Sequence, residues 1–171
     1  MSNKYKFNGR IRKRISAEQF SDALSSILAP VFPDSLVAYN PFGKMTLVQA
    51  KQSFARASLV ANNPFLTALG RPNREVVSTG RDSQANLLEA LELTNGEKFT
   101  SVLAMGATRW IDTYPSNNLL VKELFKKALG REPNEQELSV AIQTIGNKPN
   151  RESIQDLFWS ILLLPEFQIV Y

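Results

Sequence analysis

Apolar residues along this chain recur at helical spacing, separated by caps and breakers and not by long linkers. The first stretch follows Ser16, where Phe20, Ala23, Leu24, Ile27 and Leu28 fall on one face. Ser16 and Gln19 form a capping box, and Pro30 and Pro33 stop the helix. Residues 34–44, with Asn40, Pro41 and Gly43, read as loop; residues 46–61 fit a weak helix or an extended strand equally. Pro64 suits the first turn of a short helix after Asn62 or Asn63, Gly70 its left-handed stop, and Pro72 prevents continuation. Asp82 or Ser83 is expected to cap a helix running through Leu87, Leu88 and Leu91 and closed at Asn95-Gly96. Phe99, Val102, Leu103, Gly106, Trp110 and Ile111 make the next stripe, ended at Tyr114-Pro115.

The second half repeats this punctuation. Ser116 caps a helix over residues 119–129 and Gly130 ends it; Asn134 and Glu137 form another capping box ahead of Leu138, Ala141, Ile142 and Ile145. Asn150 caps a last helix in which Ile154, Leu157, Phe158, Ile161 and Leu162 share a face until Pro165. The pattern predicts an all-α fold, an irregular or orthogonal bundle of about six or seven helices. One domain spans residues 16–171, behind an extended arm at residues 1–15.

Charge separates the arm from the body. Of 20 basic residues, Lys4, Lys6, Arg10, Arg12, Lys13 and Arg14 all precede the first acid, Glu18, which leaves 14 basic against 16 acidic residues in the remainder. Tyr5, Phe7, Ile11 and Ile15 alternate with polar residues in the arm, as an extended, half-buried segment requires. Basic residues interleaved with aromatics suit a phosphate-tracking arm. The solvated face of a strand explains them with less, so nucleic acid is not the expected partner.

Composition narrows the chemistry. The 171 residues include no histidine and no cysteine, which removes the commonest general base, the thiol nucleophile and the usual transition-metal ligands. Ser78, Thr79 and Ser83 have no histidine to activate them. The carboxylate pairs Glu89 with Glu92 and Asp156 with Glu166 have the residue types of a glycosidase. Glu89 and Glu92, three apart on a helix, are more simply a solvated stripe opposite Leu88 and Leu91. No apolar run approaches the roughly 20 residues of a membrane-spanning helix.

Arg56, Arg71, Arg74 and Arg81, with Glu89 opposite, are the candidate ligand-binding residues. Guanidinium forks on loops beside helix starts suit a sulfate, a phosphate or an acidic glycan. The structural alternative is that they anchor loops through Glu18, Glu75, Glu89 or Glu92. Phe158, Trp159 and Phe167 belong to a final block that is apolar on nearly every side, expected to be core or a surface that receives a neighbour.

Five ordered blocks carry a family resemblance: residues 14–19 (Arg-Ile-Ser-Ala-Glu-Gln), Asn63-Pro64-Phe65-Leu66 with residues 69–75, Leu88-Glu89-Ala90-Leu91 with Asn95-Gly96, residues 129–133, and Asp156-Leu157-Phe158-Trp159 with Pro165-Glu166-Phe167. On these the chain resembles the C-terminal domain of the planctomycete cytochrome-c-associated multidomain bacterial proteins, domain of unknown function 1553. The resemblance implies the tail of a longer, exported protein, periplasmic or at the cell surface, that often carries haem elsewhere. This chain has no Cys-x-x-Cys-His, so no haem and no other cofactor is expected in it. The family brings no established reaction. The expected role is therefore a non-catalytic interaction domain whose partners are other domains of a parent protein or a separate protein. An anionic-glycan site or a hydrolase built on the arginine loop is the alternative, and nucleic-acid binding through the arm comes third.

Overall fold

The computed structural model describes residues 12–33, 36–38, 46–48, 56–60, 62–72 and 86–170. Its fold is an all-α bundle with two small antiparallel strand pairs. Helix α1 (Ala17–Ile27) starts as the pattern requires, with the Gln19 amide donating to Ser16 Oγ at 3.3 Å and the Ser16 amide donating to Gln19 Oε1 at 2.8 Å. Ahead of it, β1 (Lys13–Arg14) pairs with β4 (Ile169–Val170), Lys13 opposite Val170 and Arg14 opposite Ile169. The extended end of the arm is thus a strand beside the C-terminal residues. Arm residues 1–11 lie outside the described residues.

Two expectations are corrected here. The stretch read as loop holds β2 (Leu36–Ala38), paired antiparallel with β3 (Thr46–Val48), which also resolves the start of the helix-or-strand stretch. Three-residue strands are too short to show an alternating pattern and exist only through their pairing. Pro165, read as a stop, also opens α8 (Pro165–Gln168), because a proline at the first helical position removes an amide that would lack a partner anyway.

A 3-10 turn (Ala57–Leu59) leads to α2 (Pro64–Ala68), capped by Asn63 and closed at Gly70, whose φ of 88° favours glycine. Then follow α3 (Leu87–Asn95), α4 (Glu97–Thr113), α5 (Asn117–Leu129), α6 (Glu135–Ile145) and α7 (Arg151–Leu162). Helix α3 is capped by Asn86, whose Oδ1 accepts from the Glu89 amide at 2.8 Å; the expected caps at residues 82 and 83 lie outside the described residues.

The core is centred on α4 and α7, where Trp110 meets Phe158 edge-on with ring centroids 5.4 Å apart. Helix α4 also closes the end of α1: Trp110 Nε1 donates to the Ile27 carbonyl at 2.9 Å, and Arg109 to the Leu28 carbonyl at 3.3 Å. Gly106 permits this approach, since a Cβ there would stand 2.7 Å from the Leu28 Cβ. Phe20 links α1 to Phe99 on one side and Phe167 on the other, at 6.1 and 5.8 Å.

Candidate functional site

Successive acids on α1 receive the first two candidate arginines. Asp22 Oδ1 accepts from the Ala57 amide at 2.8 Å, and its other oxygen lies 3.4 Å from Arg56 Nη1. One turn earlier, Glu18 stands 3.5 Å from Arg71 Nε, while Arg71 Nη1 donates to the Ala57 carbonyl at 3.2 Å. Arg71 is buried at 6 % exposure, so its guanidinium ties α1, the 3-10 turn and the end of α2 together. Arg56 is exposed. Arg74 and Arg81 lie outside the described residues.

Glu89 is 6 % exposed, and its carboxylate is held in a bidentate fork by Arg14 Nη1 and Nη2. Gln168 Oε1 accepts from the same guanidinium at 3.2 Å. The arm, α3 and the C-terminal residues meet there. Arg14 did not stand out as a site residue, because its partner is 75 positions away and no local pattern announces the pair.

The expected orientation of α3 is reversed. Leu87, Leu88 and Leu91 are 74, 63 and 49 % exposed, whereas Glu89 points inward with Leu93. Glu92 is half-buried; its Oε1 is shut off from solvent with no hydrogen-bond partner. Burial pushes the Glu92 carboxyl above its ordinary pKa, and the Phe99 amide in the first turn of α4 partly offsets this. Gly96 makes room for this acid: a Cβ there would stand 2.3 Å from the Glu92 carboxyl carbon and from the Glu92 carbonyl oxygen. The inward surface of α3 holds the Arg14 guanidinium, so Glu89 turns in while Leu87, Leu88 and Leu91 turn out, and Glu92 lies at the border beside the donor end of α4.

Between α2 and the outer side of α3 runs a cleft of about 710 Å³. Pro64, Ala68, Leu88 and Leu91 make its apolar walls, Asn62, Asn63, Thr67 and Asn95 its polar ones, and among the described residues Glu92 is its single charged one. A second groove of about 400 Å³ lies between α6 and α7, walled by Phe125, Val140, Leu157, Ile161 and Leu164. At its end, Arg131 donates to both Glu137 oxygens at 2.8 and 2.7 Å and to both Glu166 oxygens at 2.7 and 2.9 Å. This guanidinium pulls Glu137 down to about 2 and Glu166 below the usual carboxylate range.

The three aromatic candidates part company. Phe158 is wholly buried against Trp110, and Phe167 is buried against Phe20. Trp159 is 40 % exposed, and its Nε1 donates to the Leu93 carbonyl in the last turn of α3 at 2.9 Å. Among the described residues, no cluster of acids is placed to hold a metal ion and no helix is long and apolar enough to cross a membrane.

No curated protein and no solved structure matches the chain. The sequence pattern of PSD1, a protein family of unknown function (DUF1553), matches residues 3–145, and the chain belongs to that family. The match takes in arm residues 3–13, which lie ahead of the first motif block, and closes at the end of α6, short of the block at residues 156–167.

Proposed function

We propose that this member of a family without an assigned activity is a non-catalytic helical interaction domain, working within a larger exported protein and docking through the outer face of α3. The observation that carries the reading is the reversal of α3. Of the outward residues Leu87, Leu88, Ala90, Leu91, Thr94 and Asn95, none is charged, and three are large and apolar. A helix that spends its charges inside and its leucines outside has a surface suited to being covered, and contiguous apolar patches of that kind mark interaction sites. The described candidate charges support the same reading, since Arg56, Arg71 and Glu89 each have an internal partner of opposite sign.

The test is binding of an apolar dye that fluoresces on exposed hydrophobic surface. The native chain should bind it, and the Leu88→Asp, Leu91→Asp double variant should lose that binding while melting within a few degrees of the parent. If the double variant unfolds, the leucines are held by the domain itself and the docking face does not exist. A thermal-shift screen with sulfated and uronic-acid oligosaccharides, phosphate and short nucleic acids addresses the alternative. Stabilisation by a sulfated glycan that vanishes in Arg74→Ala would move the function to the arginine loop.

A further inference from the structure

We infer that the arm of this chain fills the groove between α6 and α7, seating Tyr5 and Phe7 on its apolar walls with the arm's basic residues along its acidic rim. The groove shares no lining residue with the cleft beside α3. Val140 is 62 % exposed in it, next to the buried Leu157, Ile161 and Phe125, so it offers apolar side chains a surface to cover. The arm supplies such side chains in register. Tyr5, Phe7, Ile11 and Ile15 hold odd positions and Lys4, Lys6, Arg10, Arg12 and Arg14 even ones, with Lys13 the one base out of step. In an extended segment the two sets point to opposite sides. Ile15, the last of the apolar set, already packs against the core. The family match includes the arm from residue 3 onward, so these residues belong to the domain.

Position, charge and tethering select the arm over a free partner. Its root is fixed beside the groove: β1 pairs with β4, the Ile15 amide donates to the Gln168 carbonyl at 2.8 Å, and Arg12 borders a recess with Leu163 and Pro165. Leu164, between those two, lines the near end of the groove. Phe7 is five residues ahead of Arg12, about 17 Å when extended, while the groove from Leu164 to Leu157 runs only about 10 Å along α7. The rim is acidic where the arm is basic. Glu152 and Asp156, both exposed, precede Ser160 at four-residue spacing along α7. At the near end Glu137 and Glu166 share the single guanidinium of Arg131, which leaves a net negative charge. Lys148 and Arg151 sit at the junction of α6 and α7, past Thr144. A segment tethered this closely reaches an effective concentration on the order of millimolar, which a free partner must exceed.

Trypsin tests the docking directly, because it cuts after Lys4, Lys6, Arg10, Arg12 and Lys13 and cleavage follows the population in which a segment is open. Val140→Asp should speed cleavage after Lys6 and Arg10 at least about tenfold, whereas Leu119→Asp, an equally exposed apolar site on α5, should leave it unchanged. The Tyr5→Ser, Phe7→Ser double variant should speed it as much and leave cleavage within the bundle as in the parent. Thr144→Lys, which adds a base to the rim and spares the apolar walls, should speed it by a smaller factor and decides the matter should Val140→Asp unfold. Cleavage of the arm at one rate in the parent, the groove variants and the arm variant overturns the inference. Protection that grows with chain concentration also overturns it, since the arm in the groove would then come from another copy.

Discussion

Helices α3 and α4 are consecutive and joined through the single residue Gly96, yet they treat apolar side chains in opposite ways. Helix α4 buries Phe99, Val102, Leu103, Ala107 and Trp110; α3 exposes three of its four leucines and turns Glu89 inward. Both are amphipathic, so the difference lies in what each meets. The inner side of α4 meets Leu28, Phe20 and Phe158, all apolar. The inner side of α3 meets the Arg14 guanidinium and the amide end of α4, to which a carboxylate is the better complement. Amphipathicity orders residues around a helix, but the neighbour decides which side is inside.

The largest expected effect lies on the α4 side. Phe158→Ala should cost about 3–5 kcal/mol in chemical denaturation, whereas Leu88→Ala on α3 should stay within about 0.5 kcal/mol. Equal costs would end the contrast between the two helices. Next comes the inward acid: Glu89→Ala strands Arg14 and should cost about 2–3 kcal/mol, far above the usual loss at a surface glutamate, with less added by Arg14→Ala in the double variant. Additive losses in that cycle would mean that the pair is not what holds the arm to α3.

Trp159 sharpens the comparison from α7, being part core and part surface. Trp159→Ala should cost about 1–2 kcal/mol through the lost bond to the Leu93 carbonyl, and Trp159→Phe should recover the packing without the bond. The smallest effect is electrostatic and lies far from α3. Arg131 holds Glu137 at about 2 and lowers Glu166, so their stabilisation is complete above the ordinary carboxylate pKa and fades as pH falls from about 4.5 toward 2. Because these groups are partly exposed, Glu137→Gln should cost about 1 kcal/mol at pH 7 and almost nothing at pH 2. Glu92 has the opposite sign: its raised pKa disfavours the charged form, so Glu92→Gln should be neutral or slightly stabilising at pH 7, and any gain should vanish below about pH 4.5.

Much of the architecture was legible because caps act locally. Ser16 with Gln19, Asn134 with Glu137, and the left-handed Gly70 and Gly130 stand where spacing placed them. The α3 start at Asn86, the β2–β3 pair and the helix beginning at Pro165 were not read, since each depends on a partner or on a cap that competes with equally good candidates nearby. Of the candidate charges, the arginines had Glu18, Glu75, Glu89 and Glu92 as possible anchors without a pairing, and Arg71 takes Glu18; Arg14 with Glu89 was not foreseen. Neither pair is local, with Glu18 and Arg71 lying 53 positions apart and Arg14 and Glu89 75, so the sequence offers several acids for each arginine but does not choose among them.

An all-α fold, the family, the stops and caps of most helices and the absence of histidine and thiol chemistry are all readable from the residues in order. Those properties follow from hydrogen bonds and steric limits within a few residues of each other. Only the assembled bundle turns Glu89 of α3 in and Leu87, Leu88 and Leu91 out, selects which of three aromatics reaches the surface, and makes Leu88 and Leu91 walls of a cleft. Each of these depends on groups distant along the chain, and a helical pattern fits either orientation until the opposing charge is in place.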